Sequence, residues 1–234
     1  MLEVKNLDAG YGFLQVLRNV SLTVAEGEYV CLVGPNGAGK TTTLKTIAGL
    51  LKPSGGRILF KGEKIDGLPG YQVARKGISY ISEEMNLFLN MTVQENLYMG
   101  GHIINDKKIL KERIGLVYDL FSRLAERKNQ LAGTMSGGER KMLAIGRGLM
   151  ANPTLLLVDE PSFGLAPQIT ESVFKSLDIL KNTGVTIMVV EQNVRKTLSV
   201  TDRGYVLDNG KVALAGKSSD LACDAHIHKV FLGV

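Results

Sequence analysis

A glycine-rich segment at residues 34–41 has the residue types and spacing that bind a phosphate chain. It reads Gly-Pro-Asn-Gly-Ala-Gly-Lys-Thr and matches the pattern G-x-x-x-x-G-K-[ST] in full. Glycines lack a Cβ, so consecutive backbone N–H groups can surround phosphate oxygens, while the lysine reaches the outer phosphates and the threonine offers a hydroxyl to Mg²⁺. The predicted nucleotide-binding residues are Gly34, Pro35, Asn36, Gly37, Ala38, Gly39, Lys40, Thr41 and Thr42. ATP and Mg²⁺ are the expected ligands, with Thr41 also a metal ligand.

Two adjacent carboxylates, Asp159 and Glu160, follow an apolar run at residues 155–158. Such a run predicts a buried strand, and doubly wound sheets bind their ligands at the carboxyl ends of strands. We expect Asp159 to hold Mg²⁺ through water and Glu160 to polarise the attacking water as a general base. An Asp at a strand end is as often a helix cap, but here the pair follows a phosphate-binding motif.

A third motif consists of Ser136, Gly137, Gly138 and Glu139. Its Ser-x-x-Glu spacing is typical of a capping box, so the plain interpretation is a well-capped helix start. Serine followed by two glycines also exposes backbone N–H groups. This predicts a second anion-binding site, which one phosphate-binding loop would not need.

The elements that position these motifs can be predicted from hydrophobic periodicity. Residues 29–33 form a continuous apolar run, typical of a buried parallel strand, that leads into the glycine-rich segment and then a helical pattern. Alternating apolar residues in the first 24 positions predict β structure, and a second β-like patch is predicted at residues 57–60 and 78–81.

The period becomes helical between residues 86 and 152. Thr92 and Glu95 have capping-box spacing, and apolar residues recurring from Leu110 to Leu124 predict one face of a long helix. This region is expected to be a helical subdomain inserted into the chain.

Strands and helices alternate again after residue 153. The predicted elements are a strand at 154–158, a helix at 168–180, a strand at 185–190, a helix at 193–200 and a hairpin turned at 208–210. Alternation of this kind predicts an α/β fold with a parallel sheet between helices. We expect a single domain over 1–234, with residues 1–85 and 153–234 forming the core and residues 86–152 the helical subdomain.

Composition narrows the possible functions. The 28 Lys+Arg and 23 Asp+Glu give a net charge of +5, spread without a basic block, so nucleic acid is not an expected partner. Cys31 and Cys223 are expected to be two reduced thiols of a cytosolic chain without a signal peptide. No apolar run approaches the ~20 residues of a membrane helix.

In their order and spacing the three motifs resemble the nucleotide-binding subunit of an ABC transporter, over essentially the whole chain. Segments at 133–139, 142–147, 164–167, 190–193 and 203–207 are further similar to one of the two ATPases of branched-chain amino acid importers. The ATPases of amide, urea and lipopolysaccharide systems are similar too. The resemblance implies a P-loop (RecA-like) core and an ATPase at the cytoplasmic face of the cell membrane. It also implies transmembrane permease subunits, a second ATP-binding subunit in a homo- or heterodimer and, indirectly, a substrate-binding protein.

The resemblance also implies individual roles. Tyr11 would stack on adenine, residues 136–139 would bind the γ-phosphate held by the opposite subunit, and residues 162–166 would line the dimer contact. The family's metal-linking glutamine falls on Glu83, and its catalytic switch histidine falls on Gln192. Gln192 can donate to a γ-phosphate but cannot carry a proton charge, and Glu83 adds a negative charge near phosphate.

Alternatives remain at this point. One is an ABC ATPase acting on DNA or the ribosome, although such proteins carry a long coiled coil or two ATPase domains and neither is present. Another is a nearly inactive regulatory partner, which Gln192 and Glu83 keep open.

Two further groups of residues attract hypotheses. Four apolar residues are expected to form part of an exposed groove that receives a helix of the membrane subunit: Leu87, Phe88, Leu89 and Met91. The plain alternative is that they fill the junction of the helical subdomain. A metal cluster of Cys223, His226 and His228 is a weaker hypothesis, because a second group of ligands is missing.

Overall fold

The computed structural model describes residues 1–224, so His226 and His228 lie outside the described residues. The strands are β1 (Leu2–Tyr11), β2 (Leu14–Val24), β3 (Tyr29–Val33), β4 (Gly55–Phe60), β5 (Glu63–Lys64), β6 (Ile78–Ile81), β7 (Leu155–Asp159), β8 (Thr186–Glu191), β9 (Arg203–Asp208) and β10 (Lys211–Lys217). The α-helices are α1 (Lys40–Ile47), α2 (Gly70–Arg75), α3 (Val93–Gly100), α4 (Lys107–Leu120), α5 (Ser122–Glu126), α6 (Gly137–Leu149), α7 (Pro167–Asn182), α8 (Val194–Leu198) and α9 (Ser218–Ala222). No helix in this part of the chain is long and apolar enough to span a bilayer.

Two sheets organise the molecule. The larger has the order β10-β9-β3-β8-β7-β6, with parallel pairing from β6 to β9 and an antiparallel hairpin between β9 and β10. The smaller sheet is antiparallel, in the order β2-β1-β4-β5. These sheets confirm the predicted α/β class and its N-terminal antiparallel patch.

Alternate residues of the central strands enter different cores. On β3, Tyr29, Cys31 and Val33 join the core that contains α3, α6 and α7, whereas Val30 and Leu32 join the core that contains α1 and the antiparallel sheet. Every residue of β3 and β7 is buried, which explains why these strands appear in the sequence as uninterrupted apolar runs. The carboxyl ends of β3 and β7 lie at the same edge of the sheet. The candidate site is located at this edge.

The β structure predicted at 57–60 and 78–81 is confirmed as strands β4 and β6, but the two strands do not form one patch. Strand β4 pairs with β1 in the antiparallel sheet, whereas β6 pairs in parallel with β7 at the edge of the large sheet. Helix α2 lies between them along the chain. Short apolar runs carry no information about their pairing partner, so the sequence could not separate the two.

The predicted long helix is interrupted at Phe121, which separates α4 from α5 at φ −131° and ψ 73°. The Phe121 ring is buried, and Leu124 beyond it is buried too. The apolar residues keep a helical spacing across the break because α4 and α5 both direct them to the same core. By contrast, the capping box of Thr92 and Glu95 at the start of α3 is confirmed. The subdomain boundaries at 86 and 152 stay a prediction.

Candidate active site

The glycine-rich segment at residues 34–39 joins the end of β3 to the start of α1. Gly39 caps α1 at φ 106°, and a Cβ there would stand 2.6 Å from the Leu17 side chain. A Cβ on Gly34 would stand 2.2 Å from the carbonyl oxygen of Leu207. Both positions therefore require glycine. Helix α1 has no side-chain cap, so its first backbone N–H groups are left for a ligand.

The Lys40 side chain folds across this loop. Its ammonium donates to the carbonyl oxygens of Gly34 at 3.0 Å and Pro35 at 3.2 Å, and it lies 3.2 Å from Glu160 Oε1. The side chains of Lys40 and Glu160 are only 4% and 10% exposed. A buried ion pair persists only when further hydrogen bonds satisfy it, and the two carbonyls supply them. The predicted phosphate ligand and the predicted base are thus in contact.

The Asp159 carboxylate accepts two hydroxyl donors. Thr41 Oγ1 donates to Oδ1 at 2.9 Å, and Tyr80 Oη donates to Oδ2 at 2.8 Å. Burial raises the pKa of Asp159, although both hydrogen bonds oppose that rise. Thr41 and Asp159 therefore place hard oxygen donors together, which is the ligand chemistry that Mg²⁺ prefers. Sequence reasoning missed Tyr80, because an aromatic residue in a strand looks like packing.

Glu160 has an unusual backbone conformation. Its φ is 42°, in the left-handed region that residues with a Cβ seldom adopt. Its N–H donates to the Val190 carbonyl at 3.0 Å, and its own carbonyl accepts the Lys141 ammonium at 3.2 Å. Such strain costs on the order of 1–3 kcal/mol and is concentrated at functional sites. The peptide units on both sides of Glu160 are therefore held in place.

Gln192 lines the same small cavity as the predicted base, Glu160. This cavity of about 200 Å³ is lined by Glu160, Ser162, Glu191 and Gln192, among others. Gln192 is exposed, whereas Glu191 is buried and accepts the Ser162 N–H at 2.8 Å. Burial raises the pKa of Glu191. The cavity gives Gln192 access to groups near Glu160, as its predicted catalytic role requires.

The motif at 136–139 forms the start of α6. Ser136 Oγ accepts the Glu139 N–H at 3.3 Å, and Glu139 Oε2 accepts the Ser136 N–H at 2.9 Å, which confirms the capping box. Arg127 pairs with Glu139 Oε1 at 2.9 Å. A Cβ on Gly137 would meet nothing within 4 Å, so the approach to this helix start is open. Among the described residues, no hydrogen bond or ion pair joins this motif to residues 34–42.

Tyr11 and Glu83 are placed less directly. Tyr11 ends β1 and is 48% exposed. Glu83 follows β6, and its carbonyl oxygen accepts the Lys141 ammonium at 3.2 Å.

Lys141 is buried, which lowers its pKa. Sequence reasoning missed Lys141, although a signal was present: it lies three residues from both Gly138 and Ala144 on the apolar face of α6.

A larger groove opens beside this site. Its volume is about 490 Å³, and Leu50, Tyr80, Phe88, Met99 and Arg147 contribute to its walls. The Arg147 guanidinium lies 5.7 Å from the centre of the Phe88 ring and donates to two backbone carbonyls of the loop before it. Tyr80 therefore borders the groove on one side and contacts the Asp159 carboxylate on the other.

The predicted groove residues are correct only in part. Phe88 lines the groove, but Leu87 packs against the main core. The carbonyls of Leu89 and Met91 accept backbone N–H groups of residues 133 and 132 instead. The chain pairs with residues 132–133 there, and neither Leu89 nor Met91 lines the groove.

The fold, the phosphate-binding loop and the paired carboxylates define a P-loop ATPase, and the family model described as "ABC transporter" matches residues 17–163. The chain belongs to this family and is an ATP-binding, ATP-hydrolysing subunit of the ABC class. This confirms the resemblance inferred from the three motifs.

Individual relatives narrow the comparison. The chain is 44% identical over 233 residues to the high-affinity branched-chain amino acid transport ATP-binding protein BraG of Pseudomonas aeruginosa, covering 100% of both chains. It is 36% identical over 235 residues to the lipopolysaccharide export system ATP-binding protein LptB of Haemophilus influenzae, covering 100% of this chain and 97% of LptB. A dimeric post-hydrolysis structure of the ATP-binding cassette MJ0796 bound to ADP and Pi superimposes with a TM-score of 0.82 at 26% identity, covering 93% and 99% of the two chains.

Proposed function

We propose that this ATPase powers a membrane importer of branched-chain or other hydrophobic amino acids, working at the cytoplasmic face of the cell membrane. The full-length similarity to BraG is the observation that carries the cargo assignment. The contacts among Lys40, Thr41, Asp159 and Glu160 support the catalytic half of the proposal. The cargo itself would be selected by other subunits.

The proposed chemistry is γ-phosphoryl transfer from ATP to water. Lys40 and Glu160 neutralise each other at 3.2 Å in the structure. A phosphate chain held by residues 34–42 competes for the Lys40 ammonium, and this exchange frees the Glu160 carboxylate. Glu160 then accepts a proton from the attacking water, while Gln192 donates a hydrogen bond toward the γ-phosphate across the shared cavity.

Thr41, Asp159 and Glu83 are the residues proposed to hold Mg²⁺. When bound, Mg²⁺ would neutralise charge that develops on the phosphate oxygens. The buried Asp159 carboxylate, with its two hydroxyl donors, is suited to this role because Thr41 Oγ1 already lies 2.9 Å away. Tyr80 keeps the carboxylate oriented from the other side.

We propose that two ATP-binding subunits, identical or different, pair head to tail. In that pair the helix start at Ser136, Gly137, Gly138 and Glu139 binds the γ-phosphate held by the opposite subunit, and Tyr11 stacks on the adenine of its own site. Support comes from the open approach to Gly137 and from the dimeric cassette that this chain resembles. Residues 162–166 lie shortly after Glu160 in the chain. A contact of the partner subunit with these residues would therefore change the position of Glu160.

The groove beside Phe88 is the proposed contact for a transmembrane permease subunit, with a substrate-binding protein attached indirectly. Its exposed apolar residues, including Leu50, Phe88 and Met99, suit an amphipathic helix. The residue range 86–152 would act as the helical subdomain that moves with this contact, around the 1–85 and 153–234 core.

Transport by cells that carry the chain tests the function. Glu160→Gln should abolish uptake of radiolabelled leucine, isoleucine and valine, and the exposed Glu26→Gln variant is the matched control. Unchanged uptake in Glu160→Gln cells would contradict the proposal for amino acids. A loss of lipopolysaccharide from the cell surface in the same cells would instead assign the role printed for LptB.

Crosslinking tests the groove. A photoreactive residue at Phe88 should capture a permease subunit, whereas the same residue at Lys175, exposed on α7, should not. Absence of any permease adduct from residue 83 to residue 96 would contradict the groove assignment.

A further inference from the structure

Lys141 is the one buried lysine that the proposed chemistry leaves without a role in the described part of the chain. It lies in the second turn of α6, five residues after Ser136, and is 2% exposed. Its ammonium donates to the carbonyl oxygens of Glu83 and Glu160, each at 3.2 Å. Burying a lysine is costly unless its charge is compensated, and an apolar residue of similar size would pack there at a lower cost. Packing alone therefore does not explain the choice of lysine.

The two acceptors belong to segments that would act on the same ATP. Glu83 lies on the loop after β6, and Glu160 carries the predicted base. Because the Glu160 backbone is strained at φ 42°, the orientation of its peptide needs support. The Val190 carbonyl accepts the Glu160 N–H. The Glu160 carbonyl accepts both the Phe163 N–H and the Lys141 ammonium, each at 3.2 Å, and the ammonium is the side-chain donor of the two.

Lys141 also connects these segments to α6. The first turn of α6 contains the motif that we have proposed to bind the opposite subunit's ATP. A shift of this helix when the opposite ATP binds would therefore move the Lys141 ammonium relative to Glu160 and Glu83. A change in one site would reach Glu160 in the other through this side chain.

We propose that Lys141 is a positioning residue, whose ammonium ties the helix at Ser136 to the backbones of Glu83 and Glu160 and thereby sets the geometry of the base. It does not contact the reacting atoms. The inference rests on the proposed head-to-tail arrangement, and it assigns Lys141 a role in turnover and none in binding ATP.

Kinetics of the purified full chain test this role. Lys141→Met keeps the length and the apolar stem but removes the donors. It should lower kcat by ~10- to 100-fold, the range found when groups that orient catalytic ligands are removed, with KM and nucleotide affinity within about twofold of the original chain. Lys141→Arg, which retains a charged donor, should recover most of the rate. Lys175→Met on the exposed face of α7 is the control and should be unchanged.

A second measurement separates positioning from folding. The thermal midpoint of Lys141→Met should stay close to that of the original chain, because relief from burying the ammonium offsets the loss of its two hydrogen bonds to backbone carbonyls. In a Glu160→Gln background, Lys141→Met should still form the ATP-dependent dimer. Should Lys141→Met not fold, Lys141→Gln replaces it and should have a kcat between those of the original chain and the Glu160→Gln variant.

The outcomes distinguish the two proposals. If the original chain hydrolyses ATP, Glu160→Gln does not, and Lys141→Met or Lys141→Gln is as fast as the original, the inference about Lys141 is wrong while the ATPase assignment stands. Equal loss in Lys141→Arg and Lys141→Met, with a lowered midpoint in both, also overturns it in favour of packing. If Glu160→Gln retains normal turnover, the assignment of the base itself fails.

Discussion

The loop at residues 34–41 and the helix start at residues 136–139 are both expected to bind an anion through backbone N–H groups, but their surroundings differ. Around the loop, Lys40 and Thr41 contact the Glu160 and Asp159 carboxylates, which are more than a hundred residues away along the chain. Around the helix start, the polar atoms bond to one another and to Arg127.

Because of this difference, we expect the two motifs to have different roles. The loop has the proposed base and the proposed metal-binding oxygens beside it on the same chain, through the contacts of Lys40 with Glu160 and of Thr41 with Asp159. The helix start is capped and its approach is open, and within residues 1–224 no hydrogen bond or ion pair joins it to Asp159 or Glu160. We therefore expect the loop to perform the chemistry on the nucleotide of its own chain and the helix start to bind a nucleotide brought by a second subunit. Variants in each region should therefore fail in different ways.

The largest effect is expected at the loop. Glu160→Gln removes the proposed proton acceptor and should lower kcat by ~10²–10⁴-fold, the typical contribution of a positioned general base. ATP affinity should persist, because Lys40 loses a competing carboxylate. Phosphate release and nucleotide titration measure the two quantities separately. Lys40→Ala provides the contrast, since it should lose ATP binding itself, and a Glu160→Gln variant with normal turnover would remove Glu160 from the mechanism.

The next effect is expected at the helix start. Ser136→Arg places a bulky cation at the open approach and should remove most activity of the dimer while leaving ATP binding at the chain's own loop unchanged. Ser136→Ala controls for loss of the cap alone, which costs about 1 kcal/mol of helix stability. ATPase assays and nucleotide titration of both variants measure the separation. A Ser136→Arg dimer nearly as active as the original would contradict the division between the two motifs.

The sequence could predict what is local and could not predict what tertiary contacts assemble. Lys40, Thr41, Asp159, Glu160 and Ser136 were all predicted, because each lies in a short motif whose spacing carries the chemistry. The central strands were predicted for the same reason, since their apolar runs are continuous.

Single residues without a motif were missed. The Tyr80 hydroxyl reaches Asp159 from 79 positions away, and nothing near Tyr80 in the sequence marks that contact. The sequence shows Lys141 as a charged residue on the apolar face of α6. Its hydrogen-bond acceptors are backbone carbonyls, which no sequence pattern reveals. Phe121 interrupts the helix although no Pro or Gly marks the break. Because the apolar spacing continues through this residue, the sequence predicts one long helix there.

A smaller effect is expected at Tyr80, between the loop and the groove. Tyr80→Phe removes the hydroxyl and leaves Asp159 Oδ2 without a donor, while the ring still packs against the groove. Because that hydrogen bond lowers the raised pKa of Asp159, its loss should raise this pKa further and weaken Mg²⁺ binding by ~10-fold. The Mg²⁺ concentration that gives half-maximal ATPase activity measures this. Tyr71→Phe, at an exposed residue of α2, is the control, and equal Mg²⁺ dependence in the two variants would remove Tyr80 from the metal site.

The smallest effect is expected at Gln192, and it asks whether the two sites of a dimer are equal. Gln192 shares the cavity with Glu160 and can donate a hydrogen bond but cannot accept and carry a proton as a histidine does. If this chain pairs with a different ATPase, one composite site uses Lys40, Glu160, Glu83 and Gln192 from this chain, whereas the other takes only the helix start at Ser136. The second site should then be the faster one.

Gln192→His should raise turnover of the first site several-fold, because removing one transition-state phosphate contact commonly costs ~10²–10³ in rate and a partial loss is a fraction of that. Single-turnover measurements on a reconstituted heterodimer, with the partner's base inactivated, isolate that site. Arg195→His is the control, since it places a histidine on the exposed side of α8, at a residue that does not line this cavity. No gain from Gln192→His, together with equal rates at both sites, would show that glutamine is adequate here and would favour a homodimer with two equivalent sites.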